Sequence, residues 1–369
     1  MVFCPRVMVS LRSLVILFLL AFIASPISSR ADDYPYPESG DFVIRDFHFE
    51  SGASLPELRI HYRTIGTLHR NASGTADNAI LVLHGTTGSG ASFLSYSFAG
   101  RLFGQGQALD AKRYFIILPD NIGHGDSSKP SDGLHAKFPS YCYHDMIAAQ
   151  YRLLTENLGV DHLRLAMGTS MGGMHTWLWG ELHPRFVDAL MPLASAPVAI
   201  AGRNRMMRRM MIDSIRHDPE WKDGEYTEQP RGLDGAIFSL FFMLSSPLEL
   251  QKAAPTRDEA DRYFDDWVDD RRRRTDANDF LYQFESSGDY DPSPDLEKIR
   301  APLFAINSAD DEVNPPELGI LEREIKRVPR GRYVLLRNPG QTRGHGSHSM
   351  PELWSSYLRE LLRISEPHP

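Results

Sequence analysis

A serine between two glycines is the first group in this chain whose type and spacing could do chemistry. Gly168, Ser170 and Gly172 form a G-x-S-x-G pattern, which follows an apolar run and precedes a segment with helical character. A turn this tight favours glycine, because the strand and the helix on either side of the serine must approach each other closely. The pattern predicts an exposed hydroxyl that acts as the nucleophile in acyl transfer.

A nucleophilic serine needs a base, and the base needs a carboxylate that orients it. Asp310 and Asp311 both follow an apolar run, and Asp311 is favoured by fold analogy because it lies four residues before Pro315. His345 and His348 lie in the loop before the last helical segment. His345 is favoured because it stands between two glycines, which suits a base that must reach the serine.

The oxyanion that forms during acyl transfer needs hydrogen-bond donors. The glycine-rich stretch Leu83–Gly90 follows the third predicted strand, and the backbone N–H groups of Thr86 and Met171 are the predicted donors. This stretch has no G-K-[ST] ending, so a nucleotide site is not expected there. His124 belongs to a separate glycine-rich turn and is expected to support that turn.

Neither a metal nor a cofactor is expected at this site. The two histidines of the last loop are three residues apart, but no acid or cysteine joins them locally to complete a metal-binding set. Cys142 has no glycine-rich turn around it and is expected to pack as a small apolar side chain.

Short apolar runs that end in glycine or asparagine turns predict the strands that position these groups. Asp41–Phe49 and Glu57–Gly66 alternate in polarity and predict a hairpin with one polar face. The later runs are continuously apolar, as expected for parallel strands buried on both faces. These runs are Ala79–Gly85, Tyr114–Gly123, Leu163–Gly168, Ala189–Ser195, Pro302–Ser308 and Arg332–Gly340.

Helical periodicity fills the gaps between the runs, for example in Tyr143–Gly159 and Met350–Ser365. The alternation predicts an α/β fold with a mostly parallel sheet flanked by helices. Residues 198–295 interrupt it with helical, Met-rich segments, which predicts a helical lid insertion between core segments 32–197 and 296–369. Within this insertion, the charged run Asp265–Arg274 is expected to form a solvated helix face.

The first 31 residues have the order of a secretory signal peptide. Arg6 and Arg12 precede an apolar run, Leu14–Ala24, and small residues follow it. The run has 11 residues, fewer than the ~20 that span a membrane, so cleavage after Ala31 is predicted in preference to an uncleaved anchor. The mature chain is expected to be periplasmic or secreted, with no stable membrane anchor.

Composition excludes several classes of protein. The chain has 369 residues, of which 42% are hydrophobic and 24% charged, an ordinary globular balance. Without residues 1–31 it would carry 37 basic and 48 acidic residues, a net charge of −11. A surface with this balance repels nucleic acid and anionic lipid. The expected partner is a small-molecule acyl substrate.

The chain resembles the α/β-hydrolase superfamily and, within it, the homoserine O-acetyltransferase group. The resemblance extends from about Asp41 to the C-terminus, and it implies an α/β-hydrolase fold in which Ser170 is the nucleophile, Asp311 the orienting acid and His345 the base. The stretches that carry it are "GTSMGGMHTWLW" (Gly168–Trp179), "DPEWKDGEYTEQPRGL" (Asp218–Leu233), "SADDEVNPPE" (Ser308–Glu317) and "GHG" (Gly344–Gly346).

The chain also departs from that group at the residues that would hold an amino acid. In the acetyltransferases an arginine six residues before the "DP" pair holds the substrate carboxylate, and that position is Ile212 here. Arg208 and Arg209 lie about one turn away, and either of them is an alternative ligand for the carboxylate. The aspartate that meets the substrate amine corresponds to Gly346. The resemblance therefore implies the framework of the group without its amino-acid pocket.

Three functions are consistent with these observations. The first is an exported serine hydrolase that cleaves a carboxylic ester or a similar acyl bond through an acyl-enzyme. The second is an acyltransferase of the homoserine O-acetyltransferase type, in which an alcohol replaces water as the acyl acceptor. The third is an inactive binding protein, which the intact set of Ser170, Asp311 and His345 disfavours.

Overall fold

A mostly parallel sheet of eight strands forms the centre of the fold in the computed structural model, which describes Met1 and residues 34–337 and 340–366. The strand order is β1-β2-β4-β3-β5-β6-β7-β8. β2 pairs antiparallel with both β1 and β4, and all other pairs are parallel. The strands are β1 Glu38–His48, β2 Ser54–Ile65, β3 Ala79–Leu83, β4 Phe115–Pro119, β5 Leu165–Thr169, β6 Leu190–Leu193, β7 Leu303–Ser308 and β8 Gly331–Leu336.

The polarity of each run explains where its strand lies. Every residue of β3, β5, β6 and β7 is buried, as expected for strands covered by helices on both faces. β1 and β2 lie at the edge and alternate, with Ile44 paired to Leu58 on the buried face. The α/β fold predicted from the sequence is therefore confirmed.

The described residues contain ten α-helices. α2 and α3 bring Tyr143 and Trp177 to one face of the core, and α1 and α10 bring Leu102 and Trp354 to the other. The helices are α1 Ala99–Leu102, α2 Tyr143–Arg152, α3 Met171–Leu182, α4 Gly202–Arg216, α5 Gly232–Leu244, α6 Pro247–Ala253, α7 Arg257–Arg274, α8 Ala277–Glu285, α9 Ile320–Glu324 and α10 Pro351–Ile364.

The chain between β6 and β7 contains α4 to α8 and no strand, and all of this segment lies in the described structure. These helices have a small apolar core of their own, formed by side chains such as Ile215, Leu233 and Phe280. This segment includes residues 198–295, for which the sequence predicts a helical insertion.

Apart from Met1, the predicted signal peptide and its cleavage site after Ala31 lie outside the described residues. Among the described helices, no single one is long and apolar enough to span a membrane. α5 and α6 reach that length and composition only as a pair, and they are bent by 104°.

Candidate active site

Ser170 lies at the sharp turn between β5 and α3. Its backbone has φ 54° and ψ −113°, a region that a residue with a Cβ adopts only under strain. Its N–H donates to the Leu193 carbonyl at 2.9 Å, which ties the turn to β6. The turn directs the serine side chain into a cavity instead of into the sheet.

The flanking glycines are required by close backbone contact. A Cβ on Gly168 would lie 2.3 Å from the carbonyl carbon of Gly172, and a Cβ on Gly172 would lie 1.9 Å from the Leu83 carbonyl oxygen. Both distances are much shorter than a van der Waals contact, so no other residue fits at either position without displacing β3 or α3. This is the close approach that the sequence pattern predicts.

The structure brings Ser170, His345 and Asp311 into one chain of hydrogen bonds. His345 Nε2 is 2.9 Å from Ser170 Oγ, and His345 Nδ1 is 3.0 Å from Asp311 Oδ2. His345 and Asp311 are almost completely buried. With Asp311 ionised, Nδ1–H donates to the carboxylate, and Nε2 is left to accept the serine proton.

Asp311 is held as a carboxylate by the groups around it. Burial raises its pKa, but the adjacent His345 and the hydrogen bonds that the carboxylate accepts outweigh burial and keep the pKa below its usual value. Those bonds include the backbone N–H groups of Val313 at 2.8 Å and Asn314 at 3.2 Å. The carboxylate can therefore stabilise a positive charge on the imidazole.

Asp310, the competing acid, contacts a different part of the loop. Its Oδ2 accepts the Gly344 N–H at 2.8 Å and the Ser246 hydroxyl at 3.3 Å, and it makes no hydrogen bond to His345. Gly344 has φ 56°, so this bond fixes the left-handed turn that precedes His345. Asp310 supports the loop, whereas Asp311 contacts the imidazole.

The other histidines near the site are neutral and do not bond to Ser170. The ring of His348 stands edge-on to His345 at 5.2 Å, and burial and the proximity of the His345 imidazole lower the pKa of His348. Burial also lowers the pKa of His84 and His124. His84 donates from Nδ1 to the Gly85 carbonyl and accepts the Asn121 N–H at Nε2, which fixes the loop that carries Thr86.

Two backbone N–H groups are available as oxyanion donors. Met171 is the first residue of α3, and N–H groups in the first turn of a helix have no acceptor within the helix. Thr86 lines the same cavity as Ser170, and its N–H has no acceptor within the described part of the chain. The Thr86 and Met171 N–H groups remain the predicted oxyanion donors.

The cavity around Ser170 has a volume of about 360 Å³ and lies between the core and the insertion. The core contributes Thr86, His345 and His348, and α5 contributes Leu240 and Met243. A larger cleft of about 630 Å³ contains none of the three bonded side chains. The smaller cavity is therefore the candidate substrate site.

Three arginines of the insertion also line this cavity, namely Arg208, Arg271 and Arg274. Arg208 of α4, which lies about one turn from the position of the family's arginine, reaches the cavity with its side chain, whereas Ile212 packs in the core of the insertion. The charged run of α7 has no buried residue, in line with the predicted solvated face, and two of its arginines, Arg271 and Arg274, also border the cavity. Charge and helical spacing alone do not show which surface of the protein these arginines face.

Two groups of side chains in the described residues have the composition of a metal site, and neither lines the cavity. Asp289, in the first group, already accepts the backbone N–H groups of Tyr143 and His144. Asp120, in the second, accepts the Gly90 N–H at 2.7 Å. The groups are Cys142, His144 and Asp289, and His61, Asp120 and Asp126.

Comparison with known sequences identifies relatives of the whole core. A model of the alpha/beta hydrolase fold family matches residues 78–341. A homoserine O-acetyltransferase from Chlorobaculum parvum is 31% identical over 321 residues, which cover 79% of this chain and 86% of that protein. A homoserine O-acetyltransferase from Moorella thermoacetica is 39% identical over 205 residues, and this match spans only 52% of that protein and 50% of this chain.

Comparison with solved structures gives the same architecture. A homoserine O-acetyltransferase from Bacillus anthracis has a TM-score of 0.76 at 21% identity, covering 89% of this chain and 98% of its own; at this identity the likeness shows the fold alone. The acetyl esterase MekB has a TM-score of 0.74 at 25% identity, covering 88% and 97%. The framework thus occurs in proteins named as transferases and as esterases.

Proposed function

This chain belongs to the α/β-hydrolase fold family and to its homoserine O-acetyltransferase-like group, and on that basis we propose that it transfers an acyl group through a covalent ester on Ser170. The observation that carries the proposal is the chain of hydrogen bonds that joins Ser170, His345 and Asp311 at the edge of the cavity between the core and the insertion. The relatives favour transfer to an alcohol over the hydrolysis that the sequence analysis put first.

Acylation begins when Ser170 Oγ attacks the carbonyl carbon of an ester or thioester. The serine proton passes to His345 Nε2, and Asp311 stabilises the resulting imidazolium. The N–H groups of Thr86 and Met171 bind the oxyanion. The tetrahedral intermediate then expels the leaving alkoxide or thiolate, which takes the proton from His345 and departs as an alcohol or thiol.

Deacylation uses the same groups in reverse. The hydroxyl of the acceptor gives its proton to His345 and attacks the acyl carbonyl on Ser170. The second tetrahedral intermediate breaks the bond to Ser170 Oγ, which recovers its proton from His345. The products are the O-acylated acceptor and the free enzyme, so no cofactor is consumed.

Hydrolysis is the second candidate, because specific observations favour it. Gly346 stands where the resemblance implies an aspartate that binds the acceptor amine, so an amino-acid acceptor would be poorly held. The similarity to an acetyl esterase also supports hydrolysis. In this case water takes the place of the alcohol, and the free acid is the second product.

Product analysis separates the two candidates. We expect the protein, incubated with p-nitrophenyl acetate, to release p-nitrophenol and to form an O-acetyl product with at least one of two added alcohols, homoserine and 4-hydroxybutanoate. The control is Ser170→Ala, which gives the uncatalysed background. Formation of acetate alone, at a rate that neither alcohol changes, would establish the esterase instead.

Export is also a proposal, supported by the basic, apolar and small-residue order of residues 1–31. The exported protein is expected to begin at or near Asp32. Intact-mass measurement of protein recovered from outside the cytoplasm tests this. A full-length chain confined to the cytosol would contradict it.

A further inference from the structure

A chain of buried polar side chains runs from α3, through α2, to the loop that follows β3. Trp179 Nε1 donates to Gln150 Oε1 at 2.7 Å, and Gln150 Nε2 donates to Asn121 Oδ1 at 2.5 Å. Asn121 Nδ2 lies 3.1 Å from His84 Nε2, and His84 Nδ1 lies 2.9 Å from the Gly85 carbonyl oxygen. All four side chains are at most 2% exposed, so these hydrogen bonds lie inside the core, away from water.

The indole at one end of this chain determines the direction of every bond. The Trp179 N–H can only donate, so Gln150 must turn its oxygen to the indole and its NH₂ to Asn121. The Asn121 oxygen then faces Gln150, and its NH₂ faces His84. His84 Nε2 also accepts the Asn121 backbone N–H at 3.1 Å, so Nε2 is unprotonated and Nδ1 carries the proton. The orientation of Gln150 therefore fixes the tautomer of His84.

The last bond of the chain ends on the peptide unit that supplies a proposed oxyanion donor. The Gly85 carbonyl and the Thr86 N–H belong to one planar peptide. The carbonyl accepts His84 Nδ1–H at 2.9 Å and the Gly88 N–H at 3.0 Å, and these two bonds restrain the plane against rotation. Hydrogen bonds to the carbonyl also polarise the peptide, which makes its N–H a stronger donor.

This peptide lies directly against the nucleophile. A Cβ on Gly85 would lie 3.4 Å from Ser170 Cβ and 3.4 Å from the Thr169 carbonyl oxygen. Thr86 lines the same cavity as Ser170. A rotation of the peptide would therefore move the Thr86 N–H relative to an oxyanion formed at Ser170, and a misplacement of about 1 Å can cost about 100-fold in rate.

Gln150 differs from a buried amide of this chain that holds backbone segments together. Asn78, which precedes β3, makes its three side-chain hydrogen bonds to backbone atoms. Among the described residues, the Gln150 amide bonds instead to side chains, those of Trp179, Asn121 and His175. Most side-chain hydrogen bonds in proteins go to backbone or water, so this pattern is unusual. Gln150 holds no loop directly and acts on the site through other side chains.

We propose that Gln150 is a positioning residue for acyl transfer. It acts through the side chains of Asn121 and His84 and orients the Thr86 N–H toward the oxyanion. The inference rests on the proposed function, in which this N–H is one of two oxyanion donors. Gln150 does not line the cavity, so its loss should weaken binding of the tetrahedral oxyanion and leave binding of the planar ester unchanged.

The test replaces Gln150 with methionine, which keeps the length of the side chain and removes both amide groups. We expect kcat and kcat/KM with p-nitrophenyl acetate to fall by about 10- to 100-fold, because both tetrahedral intermediates place an oxyanion beside Thr86. Removal of a whole oxyanion donor costs about 10²- to 10³-fold. The loss in Gln150→Met should be smaller than that, since the N–H stays in the loop.

Gln107→Met is the matched control. Gln107 is half-buried, its Oε1 accepts the Gly104 N–H at 2.8 Å, and its Nε2 donates to the Gly100 carbonyl at 2.9 Å. It does not line the cavity around Ser170. The same substitution therefore removes an amide of similar bonding far from the oxyanion loop. This variant should keep kcat/KM within about twofold of the wild type, even where its melting temperature falls.

A pair of ketone inhibitors separates the orientation of the donor from a general loss of structure. 1,1,1-Trifluoropentan-2-one forms a hemiketal with Ser170 that places an oxyanion where the reaction does, whereas pentan-2-one remains a planar ketone. In Gln150→Met, the Ki of the trifluoromethyl ketone should rise by the factor by which kcat/KM falls, and the Ki of pentan-2-one should stay within about twofold. A smaller fraction of folded protein would lower the rate without changing either Ki.

The peptide can also be observed directly. The chain has four Gly–Thr peptides, which end at Thr67, Thr75, Thr86 and Thr169. Protein labelled with ¹³C-carbonyl glycine and ¹⁵N-threonine therefore gives four amide signals in a carbonyl-selected NMR spectrum. The Thr86 signal should shift in Gln150→Met, and the Thr67 and Thr75 signals should keep their positions. An unchanged Thr86 signal would show that Gln150 does not orient this peptide.

Two kinetic results would also overturn the inference. One is an unchanged Ki of the trifluoromethyl ketone in Gln150→Met, and the other is a loss of rate no larger than that of Gln107→Met. Should Gln150→Met give too little folded protein, Trp179→Phe removes only the first bond of the chain. It should raise the same Ki several-fold, and an unchanged Ki there would count equally against the inference. A wild-type protein that p-nitrophenyl acetate does not acylate would instead reject the proposed function.

Discussion

Replacing Ser170 with alanine should lower kcat by about 10⁶-fold and leave the fold unchanged. The hydroxyl is the only group within hydrogen-bonding distance of His345 Nε2 in the described structure, so its loss removes the nucleophile and leaves the base without a proton to take. Alanine keeps the Cβ, so the strain at φ 54° stays the same. The free energy of unfolding should fall by about 1 kcal/mol or less, the value of one hydrogen bond.

The measurement is the initial rate with p-nitrophenyl acetate, together with thermal unfolding to confirm the fold. Ser92→Ala is the matched control, because Ser92 lines the same cavity and, among the described residues, its hydroxyl bonds to nothing but the Ser89 N–H, at 3.2 Å. The control should retain most of the activity. A Ser170→Ala protein with a tenth of the wild-type rate would remove Ser170 from its proposed role.

Replacing Asp311 with asparagine should lower kcat by about 10⁴-fold. Asp311 Oδ1 accepts the N–H groups of Val313 and Asn314, so an amide at this position keeps its oxygen on that side and turns its NH₂ toward His345. His345 Nδ1 must then accept a hydrogen bond, which moves the ring proton to Nε2. The imidazole in that form cannot take the proton of Ser170.

Asp310→Asn is the matched comparison for that experiment. The asparagine oxygen can still accept the Gly344 N–H, so the loop keeps its turn. A loop displacement worth about 1 kcal/mol would change the rate by less than tenfold. If Asp310→Asn proved the more damaging of the two, the assignment of the orienting acid to Asp311 would be reversed.

Residues whose position follows from burial or from a local requirement of the backbone could be predicted from the sequence. The runs that form β3, β5 and β7 are apolar throughout because helices cover both faces of the sheet, and this is visible without coordinates. Gly168 and Gly172 marked the turn at Ser170, because only glycine fits where the strand and the helix nearly touch.

Choices between neighbours had weaker support in the sequence. Asp310 and Asp311 are the same residue type at adjacent positions of one loop. Residue type and sequence context therefore do not distinguish them. Analogy favoured Asp311, but the physical reason is three-dimensional. The Asp311 side chain faces His345, whereas the Asp310 side chain faces the Gly344 N–H.

The sequence by itself determined the sheet, the turn at Ser170 and the residue types of the candidate site, while the tertiary structure alone decided the charge of the cavity beside Ser170. Periodicity gives the faces of α4 and α7 but not which surface each face meets, because a helix can turn about its axis without any change in spacing. The packing of the insertion against the core sets the rotation of α4 and α7 about their axes. It placed Arg208 and Arg271 beside Ser170, and it placed Ile212 in the core of the insertion.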